Sequence, residues 1–140
     1  MSTPPSPDPH AQATTADDER RACVRLDPPL GRPYAVSFTW LGETLQFSVH
    51  NVSLGGIAFR VPLHHEDVFR PGRVLQGVQL ELGSGRHLLT DLEVRLCRPM
   101  RTRLLGDQLH VGCRFVHLTP AQQTLLAHAM AALERERGGR

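Results

Sequence analysis

Lysine is missing altogether: all sixteen basic residues are arginine. A coding bias is the simplest explanation of the choice, but its consequence is physical. Every cationic site here is a planar fork that can bind two acceptors and stack on rings. Aromatic residues are scarce as well, at 5%, with one Trp and one Tyr. Sixteen bases against fourteen acids leave a net charge of only +2. Coating duplex nucleic acid needs a concentrated positive field, and holding single strands needs stacking aromatics in a basic groove. The composition argues against both. Three cysteines at wide spacing, Cys23, Cys97 and Cys113, fit a reducing cytoplasm and no disulfide framework. Residues 1–5 carry no basic n-region, and the longest nearly apolar stretch, 125–133, is interrupted by His128. Neither a signal peptide nor a membrane insertion is expected, and the location read from the sequence is cytoplasmic.

Catalytic and metal signatures are equally thin. No Gly-x-Ser-x-Gly or phosphate-binding Gly-Lys-Ser/Thr motif occurs, and the carboxylates form no recognisable pair. Cys23 lies near arginines that could activate a thiol, yet no base is close in sequence. Among the eight histidines, His64 and His65 are adjacent and would diverge on a strand. No Cys-x-x-Cys accompanies them. The expectation is a binding protein with no catalytic residue, no metal and no cofactor.

What is present is one domain's worth of chain, 140 residues with 40% hydrophobic and 21% charged content. Residues 1–18 hold four of the eleven prolines and almost nothing apolar, which reads as a disordered N-terminal tail. The remainder, 19–140, reads as a single folded domain. From Pro33 onward the apolar periodicity is near two. Strands are expected at 34–40 and 44–49 around a Leu41-Gly42-Glu43 turn, and then at 56–61, 74–82, 87–98 and 109–118. The alternation in 87–98 is out of perfect register. Six strands without intervening helices point to an antiparallel barrel or sandwich. Thr119, Pro120 and Gln122 then spell an N-cap, a first helical position and a capping box. The helix that follows carries a stripe of Leu125, Leu126, Ala129, Met130 and Leu133.

Two short constellations stand out. Arg21-x-x-x-Arg25, preceded by Arg20, leads into the strands, and Asn51-x-Ser53-x-x-Gly56 sits at a strand junction. Taken singly, the first reads as a solvated linker and the second as an ordinary turn. Together, in this order and before the ending Val111-Gly112-Cys113-Arg114-Phe115-Val116-His117-Leu118-Thr119-Pro120, they resemble the PilZ domain family. The ending is similar to the C-terminal PilZ domain of flagellar-brake proteins, and the resemblance covers roughly 19–136. The resemblance does not extend to the N-terminal brake domain of those proteins, and position 51 is Asn where many members carry Asp. The resemblance implies an all-β fold, a six-stranded antiparallel Greek-key (split) barrel with one C-terminal helix. It also implies binding of the bacterial second messenger cyclic di-GMP.

The residues suit that ligand on chemical grounds. Guanine offers O6 and N7 as paired acceptors to an Arg fork, phosphates accept charge-assisted bonds, and guanidinium planes stack on purines. Arg20, Arg21 and Arg25 supply this chemistry. Asn51 offers a carbonyl to the donating edge of guanine. If the strand continues, Ser53 shares its face and offers a hydroxyl. Gly56, with Gly55, supplies free backbone or close approach to the ligand. The resemblance further implies an intercalated ligand pair, because Arg20 occupies the position immediately before the motif that is associated with the pair in PilZ domains. The expected output is an arginine segment that folds over the barrel and changes a surface read by an unidentified protein partner in motility, biofilm, pilus or exopolysaccharide machinery. Two alternatives remain open: a PilZ-like interaction module acting without nucleotide, and a small nucleic-acid-binding barrel.

Overall fold

Leu41 and Gly42 both adopt left-handed backbone, at φ 50° and 82°, as a two-residue hairpin turn requires. They join β1 (Tyr34–Trp40) to β2 (Glu43–Val52) in register from Ala35 opposite Ser48 to Trp40 opposite Glu43. This computed structural model describes residues 25–28, 34–83 and 85–138. The expected tail, Cys23, Arg20 and Arg21 lie outside the described residues.

Four further strands follow: β3 (Gly56–Pro62), β4 (Val74–Leu82), β5 (His87–Thr102) and β6 (Gly106–Val116). All pairings are antiparallel, and the order β1-β2-β3-β6-β5-β4 closes on itself through β1 and β4. The β4-β1-β2-β3 stretch is a Greek key, because the chain leaves β3 and returns beside β1. A 3-10 turn, Leu63–His65, starts that crossing. The expected six-stranded Greek-key barrel is therefore the fold, and the sandwich option is not.

The interior is built by alternation. Val36, Ile57, Phe59, Val61, Val78, Leu80, Leu92, Val94 and Val111 are completely enclosed. Each such side chain is worth roughly 1.5–3 kcal/mol when fully buried. Phe47 stacks on Phe59 with centroids 6.0 Å apart, and Phe69 meets both edge-on. Arg73 lies 4.5 Å over the Trp40 ring and donates to the Asp67 carbonyl, tying the β1 end to the loop before β4.

Helix α1 (Pro120–Gly138) opens with the expected capping box: Thr119 N–H donates to Gln122 Oε1 at 2.8 Å, and Gln122 N–H donates to Thr119 Oγ1 at 3.1 Å. Gln122 also donates to the Leu89 carbonyl, tying the helix start to β5. Leu126, Ala129, Met130 and Leu133 complete the core.

Three strands outrun the expectation. β2 continues to Val52 because Val52 exchanges both backbone hydrogen bonds with Leu26, at 2.9 and 3.0 Å. β5 and β6 run on to a hairpin closing at Thr102 opposite Gly106, where Leu104 and Leu105 are exposed. That extension buries neither face, so it has no hydrophobic period to read. The imperfect alternation of β5 also has a cause: a bulge between Val94 and Leu96 resets which side chains face outward.

Candidate ligand-binding face of the barrel

Cross-strand register assembles the outer face in rows. The central row is Asn51, Ala58, Gly112 and Leu96, contributed by β2, β3, β6 and β5 in turn. Its middle positions carry a methyl group and no side chain at all. They form a low floor between taller neighbours. On one side Gly56, Arg114 and Glu93 form a second row, and on the other Arg60, His110 and Arg98 form a third. A cleft of about 250 Å³ lies over this floor, rimmed by Arg25, Arg95, Arg114 and His110.

Leu26 pairs with Val52 as a short extra strand segment, and this pairing delivers Arg25 to the cleft. Arg25 Nη1 donates to Asn51 Oδ1 at 3.1 Å. One residue of each sequence motif thus meets the other directly. Asn51 stands just after a bulge between Val49 and Asn51, which turns it outward while Val49 and Val52 stay buried.

Ser53 departs from expectation. β2 ends at Val52, so Asn51 and Ser53 do not share a strand face. Ser53 is fully buried, and its Oγ accepts from Gly55 N–H at 3.2 Å and Gly56 N–H at 3.1 Å. The Ser53 N–H donates to the Gly56 carbonyl at 2.9 Å. Its hydroxyl closes the turn and does not face the cleft. Gly56 has a structural demand of its own: a Cβ built there would lie 2.0 Å from the Cys113 carbonyl oxygen, so the close approach it permits in this structure is to β6. Gly55 is exposed at the cleft edge, and its carbonyl accepts from Phe115 N–H at 2.9 Å.

The sequence reading missed Arg95, Arg114, Arg60, Arg98, His50 and His110. Glu93 Oε1 accepts from Arg114 Nε at 2.5 Å and lies 3.8 Å from Arg95 Nη1. Burial first, and then His50, Arg98, Arg60 and Arg25, lowers the pKa of His110 below its ordinary value. Burial and the Arg60 guanidinium lower that of His50, against an opposing pull from Asp27. Burial pushes the Cys113 thiol beneath the floor up to about 12, so it is no nucleophile at neutral pH. Among the described residues, no three His, Cys, Asp or Glu side chains are grouped to hold a metal ion, and no helix is long and apolar enough to cross a membrane.

The PilZ domain family model matches residues 19–132. The chain belongs to the PilZ domain family. It is 32% identical over 109 residues to flagellar brake protein YcgR 2 of Paraburkholderia phytofirmans, covering 76% of this chain and 42% of that protein. It is 26% identical over 123 residues to flagellar brake protein YcgR of Chromobacterium violaceum, covering 85% and 49%. The chain thus spans less than half the length of these relatives. The solved PilZ domain of YcgR from Escherichia coli with c-di-GMP superimposes with a TM-score of 0.69 at 20% identity, covering 81% of this chain and 91% of that one. The MrkH-c-di-GMP complex of K. pneumonia gives 0.72 at 17% identity, covering 82% and 52%. At these identities the likeness establishes the fold of the PilZ barrel.

Proposed function

We propose that the chain is a cyclic di-GMP receptor, with no catalytic step of its own, acting in the bacterial cytoplasm. The observation that carries this reading is the Arg25–Asn51 hydrogen bond at the edge of an arginine-rimmed cleft. It joins the two motifs into one surface whose parts match the ligand's parts. Solved PilZ domains of this fold with c-di-GMP support the choice of ligand.

A side-chain carbonyl has two lone pairs. Arg25 occupies one on Asn51 and thereby holds the amide in place, while the other can accept from the N1-H or exocyclic amine of guanine. The low floor of Ala58 and Gly112 leaves room for a flat ring. Arg25 and Arg114 offer forks to phosphate or to O6 and N7. Arg20 and Arg21 complete the site, and Gly55 borders it. Ser53 and Gly56 act on it through the turn they shape. No resident cofactor is required.

Signalling in this reading is the ordering of the arginine segment against the barrel face. Binding exchanges chain entropy for contacts and changes the charge that a protein partner meets. The partner belongs to motility, pilus or exopolysaccharide machinery. Isothermal titration with cyclic di-GMP tests the assignment: the expected affinity is micromolar or tighter, about −8 kcal/mol or better. A folded chain that gives no binding heat at ligand concentrations in the hundreds of micromolar would refute it, leaving the module that acts without nucleotide.

A further inference from the structure

β6 presents His110, Gly112 and Arg114 on the outer face of the barrel, so the cleft floor has an imidazole at one end and a guanidinium at the other. Four residues at ~3.3 Å each put them roughly 13 Å apart along the strand. The two ends differ in charge balance. Arg114 is already paired with Glu93. At the His110 end, register sets Arg60 of β3 and Arg98 of β5 on either side of the ring. Among the described residues, no carboxylate forms an ion pair with Arg25, Arg60 or Arg98.

Donors are left over at this end. Arg60 Nη2 lies 3.3 Å from His50 Nε2, and a guanidinium can only donate, so that nitrogen accepts and the His50 ring is neutral. The His50 and His110 rings meet edge to face, with centroids 6.0 Å apart. Arg60 Nε is buried without a hydrogen-bond partner. The charged and titratable groups around the pair are Arg60 from β3, Arg98 from β5, and Arg25 and Asp27 from the segment before the barrel. Only Asp27 is negative. Three guanidiniums against one carboxylate, with one N–H donor unused, favour an anion at this end.

We propose that His110, backed by His50 and flanked by Arg60 and Arg98, is a proton-coupled phosphodiester subsite at this end of the cleft. The proposal rests on the receptor reading and extends it by assigning one phosphate of cyclic di-GMP to these residues. In the free protein, burial and the surrounding cations keep His110 neutral at neutral pH. A phosphate seated there offsets those cations and accepts a hydrogen bond from the protonated ring. One proton passes from solvent to His110 as the ligand binds, and none leaves the ligand, because a phosphodiester has no second ionisation. Binding then tightens as pH falls from above the pKa of the complex toward that of the free protein. The limit is tenfold per pH unit for each proton taken up.

The test is isothermal titration of the full chain with cyclic di-GMP at pH 8, 7 and 6, in two buffers of different ionisation enthalpy. The expected result is a Kd at least about fivefold tighter at pH 6 than at pH 8, with heats that differ between buffers by the proton taken up. His110→Gln, which keeps an N–H donor but cannot titrate, should lose both the pH dependence and the buffer dependence. His128→Gln, on the exposed side of α1, should keep both. Should His110→Gln fail to fold, as judged by its thermal melt, His50→Gln serves instead, with reduced proton uptake expected. A flat Kd with equal heats in both buffers, or uptake that survives His110→Gln, overturns the subsite and leaves the receptor standing. Absence of binding at every pH removes the receptor reading and the subsite together.

Discussion

Arg25 Nη1 and Asn51 Oδ1 lie 3.1 Å apart although 26 positions separate them in sequence. The Leu26–Val52 bridge makes this possible, because it lays the segment before the barrel along the end of β2. The contact is exposed, so its worth to stability is small. In the proposed receptor its worth is orientation: the guanidinium holds the amide, and both side chains line the cleft.

Arg25→Ala should therefore weaken cyclic di-GMP binding by about 30-fold or more, roughly 2 kcal/mol, while the melting temperature stays within a few degrees. Asn51→Ala should also weaken binding. The double variant should lose less than the sum of the two, since each single change already disables the shared arrangement. Titration of the four proteins measures the cycle. Additive losses would mean that the two side chains serve the ligand independently.

Ser53 and Gly56 should behave differently, because they belong to the turn. Gly56→Ala drives a methyl group against the Cys113 carbonyl and must part β3 from β6, at a cost of about 3 kcal/mol. Ser53→Ala strips the acceptor from two N–H groups and should cost about 1–3 kcal/mol. Denaturant melts check both numbers. For Ser53→Ala, affinity measured where the variant is fully folded should fall less than it does for Arg25→Ala. The reverse order would put the hydroxyl in contact with the ligand.

The unliganded chain should lose stability as pH drops below the ordinary histidine value of 6.5. Burial is the leading cause of a lowered pKa at His50, His65 and His110. A histidine whose folded pKa lies below its unfolded one binds more protons unfolded, so stability is full above 6.5 and falls as pH drops toward the folded values. Thermal melts at pH 7.5 and 5.5 should show the lower midpoint at 5.5. Combining His50→Gln with His110→Gln should shrink that difference. A midpoint that rises toward pH 5.5 would contradict the sign.

Much of this barrel is legible from sequence because its strands bury one face and expose the other. Val78, Leu80 and Leu82 announce β4 in that way, whereas Val74 is exposed because a bulge between Leu75 and Val78 shifts the face. Leu41-Gly42 announces the first hairpin. Thr119 and Gln122 do the same for the helix, as local chemistry needs no tertiary knowledge. The cleft is another matter. His110, Arg60 and Arg98 become neighbours only through the register of three strands, and bulges at Val49/Asn51 and Val94/Leu96 set the outward faces of β2 and β5. A period-two argument cannot see a bulge in advance. Ser53 leaves the outward face for a related reason: sharing it with Asn51 requires the strand to continue through 53, and β2 ends at Val52.

Residues 1–18 should be dispensable for binding, since they hold no arginine and no Phe, Tyr or Trp. Removing them should change the affinity less than threefold, under about 1 kcal/mol. Removing everything through Arg25 should abolish binding, because it takes all three arginines of the first motif. A large loss from the shorter deletion would place part of the site inside the tail.

Stoichiometry turns on Arg20. Cyclic di-GMP can associate as an intercalated pair, in which stacked guanines carry four phosphate charges between them. Holding the pair takes more cationic and stacking capacity than holding one molecule. The described barrel already contributes Arg25 and the cleft-rim guanidiniums of Arg95 and Arg114, the latter partly offset by Glu93. Arg20 and Arg21, immediately before this segment, would add two further forks. One can meet a base edge or phosphate of the second molecule, or lie flat on an outer guanine. Titration should then saturate at two ligands per chain. Arg20→Ala should move the ratio toward one, with a smaller effect on the first molecule than Arg25→Ala has. A wild-type ratio of one at confirmed saturation would sink the pair and leave Arg20 as a solvated residue beside a site for a single ligand.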